Sequence, residues 1–121
     1  SLMVITFGED INRLEQHLRR GKDDEALFYV TMLDTMGTLK MKNTQSQRSI
    51  RGYDMHANTC TQYRIVHGKM EDYTRDGKRK MLEERASICI TWYQHLRYVN
   101  SPISTEYNMA RKQVTYFFWL C

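Results

Sequence analysis

The chain of 121 residues has little of the residues that interrupt regular structure, with one proline and six glycines. It also lacks a long apolar run, since residues 116–121 are the longest and a membrane-spanning helix needs about 20 residues. No charged start precedes an apolar export segment. We therefore expect a single soluble domain over residues 3–121 without a membrane anchor, and Ser1 and Leu2 as an expression remnant.

Sequence motifs of common enzyme classes are missing as well. The sequence has no Gly-x-Ser-x-Gly turn, no His-Glu-x-x-His zinc motif, no phosphate-binding loop and no dinucleotide-binding glycine pattern. Glu83 and Glu84 are adjacent, so on a helix their carboxylates diverge rather than pair. We therefore predict a protein that is not an enzyme and needs no cofactor.

Cysteine is scarce, and Cys60, Cys89 and Cys121 form an odd set without CxxC spacing. This pattern is more typical of reduced thiols in a cytoplasm than of a disulfide framework, so we predict a cytoplasmic location, with one disulfide pair as the alternative that three cysteines leave open. His56, Cys60 and His67 share one face of an unbroken helix and are side-chain types that bind zinc. One helix supplying three ligands matches no standard zinc module, and a core cysteine with histidines at its edge explains the same pattern. We therefore assign no metal ligand.

Apolar residues recur at helical spacing along most of the chain. The clearest pattern covers residues 78–100, after a turn predicted at Asp76-Gly77. The other stretches are residues 24–42, residues 50–73, a segment that begins at Ser101-Pro102, and residues 9–20 with Gly21 as the stop signal. These stretches predict an all-α fold, a compact bundle of about five helices in a single domain.

Composition supports an alternative α+β fold with a small antiparallel sheet. Eleven Thr, eight Tyr and only four Ala favour β structure. The strands would lie near residues 3–7, 27–33, 37–42 and 113–120. Residues 34–37 would then form a turn, because residues 38–42 alternate strictly between polar and apolar side chains.

Positive charge is unevenly distributed in this chain of formal net charge +4. Residues 1–34 hold four basic and seven acidic side chains, whereas residues 35–121 hold fourteen and seven. Such a basic excess suits a polyanionic partner. An acid-free window at residues 40–51 and a cluster at residues 75–80 supply most of the candidate contacts to DNA or RNA, which are Lys40, Lys42, Arg48, Arg51, Arg64, Lys78, Arg79 and Lys80.

The residues that follow the basic window loosely resemble a helix-turn-helix motif. Its turn falls on residues 54–55 and its recognition helix on residues 56–64, with Cys60 and Tyr63 facing inward. Asp54 stands where the motif usually has a glycine, and the same residues also fit one uninterrupted helix. The resemblance covers about a sixth of the chain and implies DNA binding.

Arg85 falls on the apolar face of the clearest helix, as Ile88 does. A buried guanidinium needs a counter-charge, because an unpaired charge in a core costs several kcal/mol. Asp34, Asp54 and Glu106 are the candidate partners. We therefore predict an internal salt bridge for Arg85.

The leading hypothesis is a small intracellular nucleic-acid-associated protein, for which a regulatory role is a candidate. The alternative is a protein-interaction module, an adaptor or inhibitor that uses surfaces rich in methionine and aromatic residues. Met32, Met36 and Met81 fall on predicted core faces, where methionine fills gaps. Residues 116–120, from Tyr116 to Leu120, carry apolar groups all around a helix and are a candidate contact for a partner or a homodimer.

Overall fold

The computed structural model describes residues 2–42 and 55–98, with side chains for residues 8–35 and 57–95. The helices in these ranges are α1 (Leu2–Arg19), α2 (Asp23–Lys42), α3 (Met55–Met70) and α4 (Arg75–Tyr98). The described residues contain no strand, so the all-α prediction is confirmed for them. They form four helices rather than about five, and the helix predicted after residue 101 lies outside the described residues.

The α+β alternative is wrong wherever the structure describes the residues concerned. Residues 3–7, 27–33 and 37–42 are helical, and residues 113–120 lie outside the described part. α2 continues through Gly37 without a turn. A single helical glycine costs about 1 kcal/mol, which is small beside the burial of residues 26–33 on the same helix.

α1 ends at the glycine that the sequence predicts as its stop. Gly21 adopts a φ of +69°, in the left-handed region that glycine enters without steric cost. The Gly21 amide donates to the Leu18 carbonyl at 3.2 Å and the Lys22 amide donates to the His17 carbonyl at 2.9 Å. These two bonds form a Schellman motif, and the chain passes from it directly into the acidic first turn of α2.

Thr74 caps the start of α4. Its Oγ1 accepts a hydrogen bond from the Gly77 amide at 3.1 Å, the pattern of a helix N-cap. The predicted turn at Asp76-Gly77 is therefore wrong, because both residues lie in the first turn of α4. The basic residues 78–80 consequently occupy the next turn of this helix.

α2 is the central helix of the bundle and packs against α1, α3 and α4. α3 runs antiparallel to it. The ring of Tyr63 meets that of Phe28 with centroids 5.8 Å apart, and His67, one turn later, lies 3.4 Å from Asp24, one turn earlier.

α4 runs parallel to α2. Arg79 pairs with Asp23 at the start of α2, and Arg85 pairs with Asp34 farther along it. α1 is antiparallel to α2 and α4 and packs against both of them. All four helices therefore meet at one end of the bundle, where the α1–α2 turn and the α3–α4 turn lie.

The core is built mainly from α2, in which residues 26–33 are all buried. The largest fully buried side chains are Phe28, Leu14, Met32, Leu33, Leu82 and Val30. The hydroxyls of Thr31 and Thr35 donate at 2.9 Å to the carbonyls of Leu27 and Thr31 in the preceding turn, so they satisfy their hydrogen bonds inside the helix. Met32 is buried and Met81 packs against the core, as the sequence predicts, and the Met36 side chain lies outside the described side chains.

Few large apolar side chains face solvent in the described part of the chain. Tyr73 is 48 % exposed, Ile65 45 % and Ile88 58 %. Ile88 therefore lies outside the apolar face on which the sequence pattern places it. None of the described helices combines the length and the apolar character that crossing a membrane requires.

Candidate nucleic-acid interface

Four of the eight cations predicted to contact nucleic acid have described side chains. Arg64 is exposed on α3 and Lys80 is exposed on α4, whereas Lys78 and Arg79 are partly buried. The two partly buried residues both form ion pairs within the bundle. A cation that is already paired with a carboxylate of the protein adds less positive charge to a binding surface, so the partners of Lys78 and Arg79 have to be considered first.

Arg79 uses all three nitrogens of its guanidinium to join three helices. Nη1 donates to the Asp23 carboxylate at 2.7 Å, Nη2 to the Leu18 carbonyl, and Nε to the Glu83 carboxylate at 3.0 Å. The Leu18 carbonyl is one of the last four of α1, where the regular hydrogen bonds of the helix stop. It already accepts the Gly21 amide of the Schellman motif, and Arg79 adds a second donor to it. Arg79 therefore serves mainly as a structural clamp, because its charge and donors are already engaged inside the protein.

The Arg79 clamp brings two groups of exposed cations to the same end of the bundle. Arg19, Arg20 and Lys22 are exposed on the last turn of α1 and the turn that follows it, beside Leu18 and Asp23, and Arg75 and Lys80 are exposed on the first two turns of α4. We call these five residues the turn-end cations. They come from sequence positions more than fifty residues apart, and the clamp holds the two backbone segments together.

Several acids at this end of the bundle are paired internally. Glu71 lies 3.5 Å from Lys78 Nζ and 3.5 Å from His67 Nε2, and the clamp pairs with two further carboxylates. Asp72 and Asp76 are exposed and form no ion pair with a described residue. They reduce the positive potential next to the α3–α4 turn, as Asp24 and Glu25 in the first turn of α2 do beside Lys22.

His17 does not add to the positive charge there. Burial lowers its pKa, Glu25 raises it, and Lys22 and Arg20 lower it further, with a net lowering. Its ring stacks on Tyr29 with centroids 5.3 Å apart, and its buried Nδ1 has no hydrogen-bond partner among the described residues. The charged form of His17 is therefore disfavoured relative to that of an exposed histidine.

Two of the predicted cations, Lys40 and Lys42, lie at the other end of α2. Lys40 and Lys42 lie in the last turn of the 20-residue helix, about 28 Å along its axis from the clamp at Asp23. Their side chains, and the residues Arg48 and Arg51, lie outside the described part of the chain. Along α2 the backbone positions of Lys40 and Lys42 are therefore separated from the clamp by most of the length of the helix, and their contact with nucleic acid stays a prediction.

Sequence reasoning missed three of the turn-end cations because they lie within the acidic first quarter of the chain. The net charge of residues 1–34 is negative, although this segment contains the basic cluster Arg19-Arg20-Gly21-Lys22, in which three cations surround the helix-stop glycine. That signal was present in the sequence, because a glycine stop predicts an exposed turn. The partnership of this turn with α4 was not visible, since it depends on a tertiary contact.

The residues with described side chains, 8–35 and 57–95, have no net positive charge of their own. They include eleven Lys and Arg against twelve Asp and Glu. The formal charge of +4 therefore arises from the other residues of the chain, Lys40, Lys42 and Arg97 among them. A case for polyanion binding in the described part rests on the local arrangement of exposed cations.

A second cluster of polar side chains lies between α2 and α4. Arg85 Nη1 lies 3.7 Å from Asp34 Oδ2, and the two side chains are 37 % and 44 % exposed. Asp34 is therefore confirmed as the partner of Arg85, but the prediction that this salt bridge is internal is wrong, because the pair lies at the surface of the α2–α4 contact. The Cys89 thiol donates to the other oxygen of Asp34 at 3.6 Å. Burial raises the pKa of Asp34, while Cys89 and Arg85 act in the opposite direction with smaller effect.

Cys89 is unsuited to nucleophilic chemistry. The residue is 2 % exposed, and burial, reinforced by the neighbouring Asp34 carboxylate, raises the pKa of its thiol. Reactive cysteines instead have lowered pKa values and reachable sulfurs. The Asp34–Arg85–Cys89 cluster is therefore a structural contact between two helices.

The three residues considered as zinc ligands do not assemble a site in the described part of the chain. Cys60 is disulfide-bonded, so the expectation of reduced thiols is wrong for this residue and its sulfur is unavailable to a metal. His67 lies between the carboxylates of Asp24 and Glu71, and the His56 side chain is outside the described side chains. No group of three or more ligating side chains occurs among the described residues.

The residues of the helix-turn-helix resemblance are only partly described. Residues 56–64 are helical as the resemblance implies, but α3 starts at Met55 and continues to Met70. Cys60 is buried and Tyr63 is packed against the core, so both face inward as predicted. The first helix and most of the turn of the motif would precede the described residues of α3.

Comparison with known proteins adds no relative from which a function could be taken. Neither a family model, nor a curated protein, nor a solved structure matches this chain.

Proposed function

We propose that the protein binds nucleic acid through the turn-end cations. The observation that carries this proposal is the Arg79 clamp, which holds the Arg19–Lys22 turn against the start of α4. The surface thus presents cations from two segments on a backbone held by hydrogen bonds. A fixed spacing of cations lowers the entropic cost of contacting successive phosphates.

The contacts in this proposal are to the phosphate backbone. Long Lys and Arg side chains neutralise phosphates and release counterions, which makes binding sensitive to salt and largely independent of sequence. Arg64, Lys78 and Lys80 remain candidate contacts from the sequence analysis, as do the cations of residues 40–51. Arg79 supports the surface from inside.

A cytoplasmic location and a regulatory role form part of the same proposal. The oxidation state of Cys60 in the cell tests this location, because disulfides such as the one at Cys60 are rare in a reducing cytoplasm. Alkylation of Cys60 in lysates prepared with a thiol-trapping reagent supports the cytoplasm, and an intact disulfide there contradicts it.

The proposal is tested by fluorescence anisotropy with labelled 20-nucleotide duplex DNA, single-stranded DNA and RNA in about 50 mM salt. The variant Arg19→Gln/Arg20→Gln/Lys22→Gln should bind at least about tenfold more weakly and show a shallower dependence of log K on log salt, by up to about three. A charge-conserving control, Arg19→Lys/Arg20→Lys/Lys22→Arg, should bind like the parent protein.

Two results would overturn the proposal: no binding to any of the three probes, or equal binding by the parent and the glutamine variant. A second variant, Lys40→Gln/Lys42→Gln, locates the surface independently. If this variant loses binding while the turn variant retains it, the contact lies at the opposite end of α2.

A protein-interaction module remains the second candidate function. The observation in its favour is the exposure of two isoleucines, Ile65 and Ile88, which offer apolar area on α3 and α4. Residues 116–120 lie outside the described part of the chain. Light scattering on the protein used for anisotropy distinguishes a homodimer from a monomer.

A further inference from the structure

One aromatic side chain lies at the surface of the described part of the protein. Among the Phe, Tyr and Trp residues with described side chains, only Tyr73 is exposed, at 48 %. It takes part in none of the ring contacts between described residues. The other rings are buried or packed against the core, and they belong to Phe28, Tyr29, Tyr63, Trp92 and Tyr93.

Tyr73 occupies a position that usually has a structural role, but that role is not fulfilled here. It directly precedes Thr74, whose hydroxyl caps α4, and an apolar residue before a helix cap commonly packs against the side chain four residues after the cap. That residue is Lys78, whose ammonium lies 3.5 Å from Glu71. Tyr73 therefore has no apolar partner at this position, and its ring remains half exposed.

We propose that the partner of the turn-end cations is single-stranded nucleic acid and that Tyr73 stacks on one of its unpaired bases. This inference rests on the proposed function and adds to it the type of strand and one contact residue. Proteins that bind single strands combine a basic surface with aromatic rings on which bases stack. In a duplex each base is paired and stacked between its neighbours, so the face that Tyr73 contacts is covered.

Tyr73 lies at the same end of the bundle as the turn-end cations. It belongs to the turn between α3 and α4, and its amide donates to the Met70 carbonyl at 3.0 Å, which fixes it to the end of α3. Arg75, one of the turn-end cations, follows two residues later. The Arg79 clamp, one turn farther along α4, holds the Arg19–Lys22 turn beside it. A strand bound to Arg75 therefore has a base within reach of the ring.

The charges next to Tyr73 favour an uncharged group at the ring. Asp72 and Asp76 are exposed and lie before and after it in the sequence. Their carboxylates repel a phosphate placed directly on the ring, whereas a nucleobase carries no charge. The phosphates of a bound strand then lie at the cations, and the base between them lies on Tyr73.

Fluorescence anisotropy in about 50 mM salt tests this contact with four labelled probes of about 20 nucleotides: single-stranded DNA, RNA of the same sequence, duplex DNA and an abasic strand. Tyr73→Ala should bind both single strands at least about fivefold more weakly, because one base–aromatic stack is lost. It should bind the duplex and the abasic strand like the parent protein. The dependence of log K on log salt should stay unchanged, because the variant removes no cation.

Two variants serve as controls. Tyr73→Phe keeps the ring and should bind all four probes like the parent protein. Ile88→Ala removes another large apolar side chain, which is 58 % exposed and lies about 20 Å along α4 from Arg75, and it should also bind like the parent. The unfolding midpoint of Tyr73→Ala verifies that the variant folds.

Three results would overturn the inference and leave the proposed function intact. They are equal binding of both single strands by Tyr73→Ala and the parent, an equal loss of binding to the duplex and the abasic strand, and a loss in Tyr73→Phe as large as in Tyr73→Ala. A loss for only one of the two single strands supports the inference and identifies the strand as DNA or RNA.

Two further results separate the inference from other uses of the ring. If the parent protein binds none of the probes, the proposed function fails and this inference fails with it. If light scattering shows a dimer that Tyr73→Ala converts to a monomer, the ring lies between two copies of the chain, which overturns the inference.

Discussion

Arg79 stabilises the point at which α1, α2 and α4 meet. It supplies a donor to a carbonyl at the end of α1 and neutralises the first residue of α2. About a third of its side chain is exposed, so the ion pairs themselves are partly screened by solvent. The hydrogen bond from Arg79 to the Leu18 carbonyl is the interaction of Arg79 that we expect to contribute most to stability.

Replacement of Arg79 by methionine should therefore lower the free energy of unfolding by about 1–2 kcal/mol. The matched control is Arg75→Met, one turn earlier on the same helix, where the side chain is exposed and the change should stay within about 0.5 kcal/mol. Urea denaturation of both variants measures the difference. Equal stabilities would show that the clamp contributes nothing.

Asp34 makes the stability of the fold depend on pH. Its pKa in the folded protein is raised by burial, so the folded state binds this proton more tightly than the unfolded state does. The ionised carboxylate therefore destabilises the fold at neutral pH, and this cost disappears as the pH falls through the folded pKa towards the unfolded value near 3.8.

The expected result is that the parent protein gains stability relative to Asp34→Asn as the pH is lowered from 7 to 4. Thermal unfolding of both proteins at several pH values measures the difference, in which the effects of other carboxylates largely cancel. Arg85 loses its partner in the variant. This loss changes the stability of the variant by a similar amount at every pH, so it does not change the sign of the pH dependence. Parallel pH profiles would contradict the raised pKa.

At the scale of elements, the contact between α1 and α4 leaves no room for a side chain at Gly8. A Cβ there would lie 2.7 Å from Tyr93 Oη and 3.0 Å from Cζ. These atoms belong to a ring packed against the core, so they cannot move away as the end of a flexible chain could. The glycine therefore permits the close approach of the two helices.

Gly8→Ala should destabilise the protein by about 1 kcal/mol or more, since overpacking outweighs the gain in helix propensity. Gly68→Ala is the control, because a Cβ at Gly68 meets nothing within 4 Å and the exposed substitution should stabilise α3 by up to about 1 kcal/mol. The unfolding midpoints of the two variants should move in opposite directions. A shift of both to higher temperature would disprove the clash.

The helices are predictable from the sequence where local signals determine their ends. Gly21 stops α1, and apolar periodicity marks α2 and α4, because burial of one helix face produces that pattern. The apolar pattern predicts a start at residue 78, three residues after the observed start of α4 at Arg75. The reason is that Asp76-Gly77 is typical of a turn, whereas the capping role of the Thr74 hydroxyl is not apparent from the sequence. Ile88 follows the apolar pattern but faces solvent, because a period alone does not determine how wide the buried face is.

At the scale of the whole molecule, the candidate site was predictable only in part. Charge counting along the sequence finds Lys78 and Lys80. The position of Arg85 on an apolar face predicts a carboxylate partner, which is Asp34, but it does not predict that this pair is partly exposed. It misses Arg19, Arg20 and Lys22, because the way in which two distant turns meet is set by tertiary packing. It also cannot show that Arg79 binds partners inside the protein, since the sequence does not distinguish an arginine with internal partners from one that is free on the surface.

The alternating direction of the four helices has a consequence for the electric field of the molecule. α1 and α3 end at the turn end of the bundle, with partial negative charge from their carbonyls, while α2 and α4 begin there with partial positive charge from their amides. These half-charges are adjacent and of opposite sign, so the backbone contributes little net potential at that end. The field that an approaching anion meets is therefore produced by side chains, and a few substitutions suffice to reverse its sign.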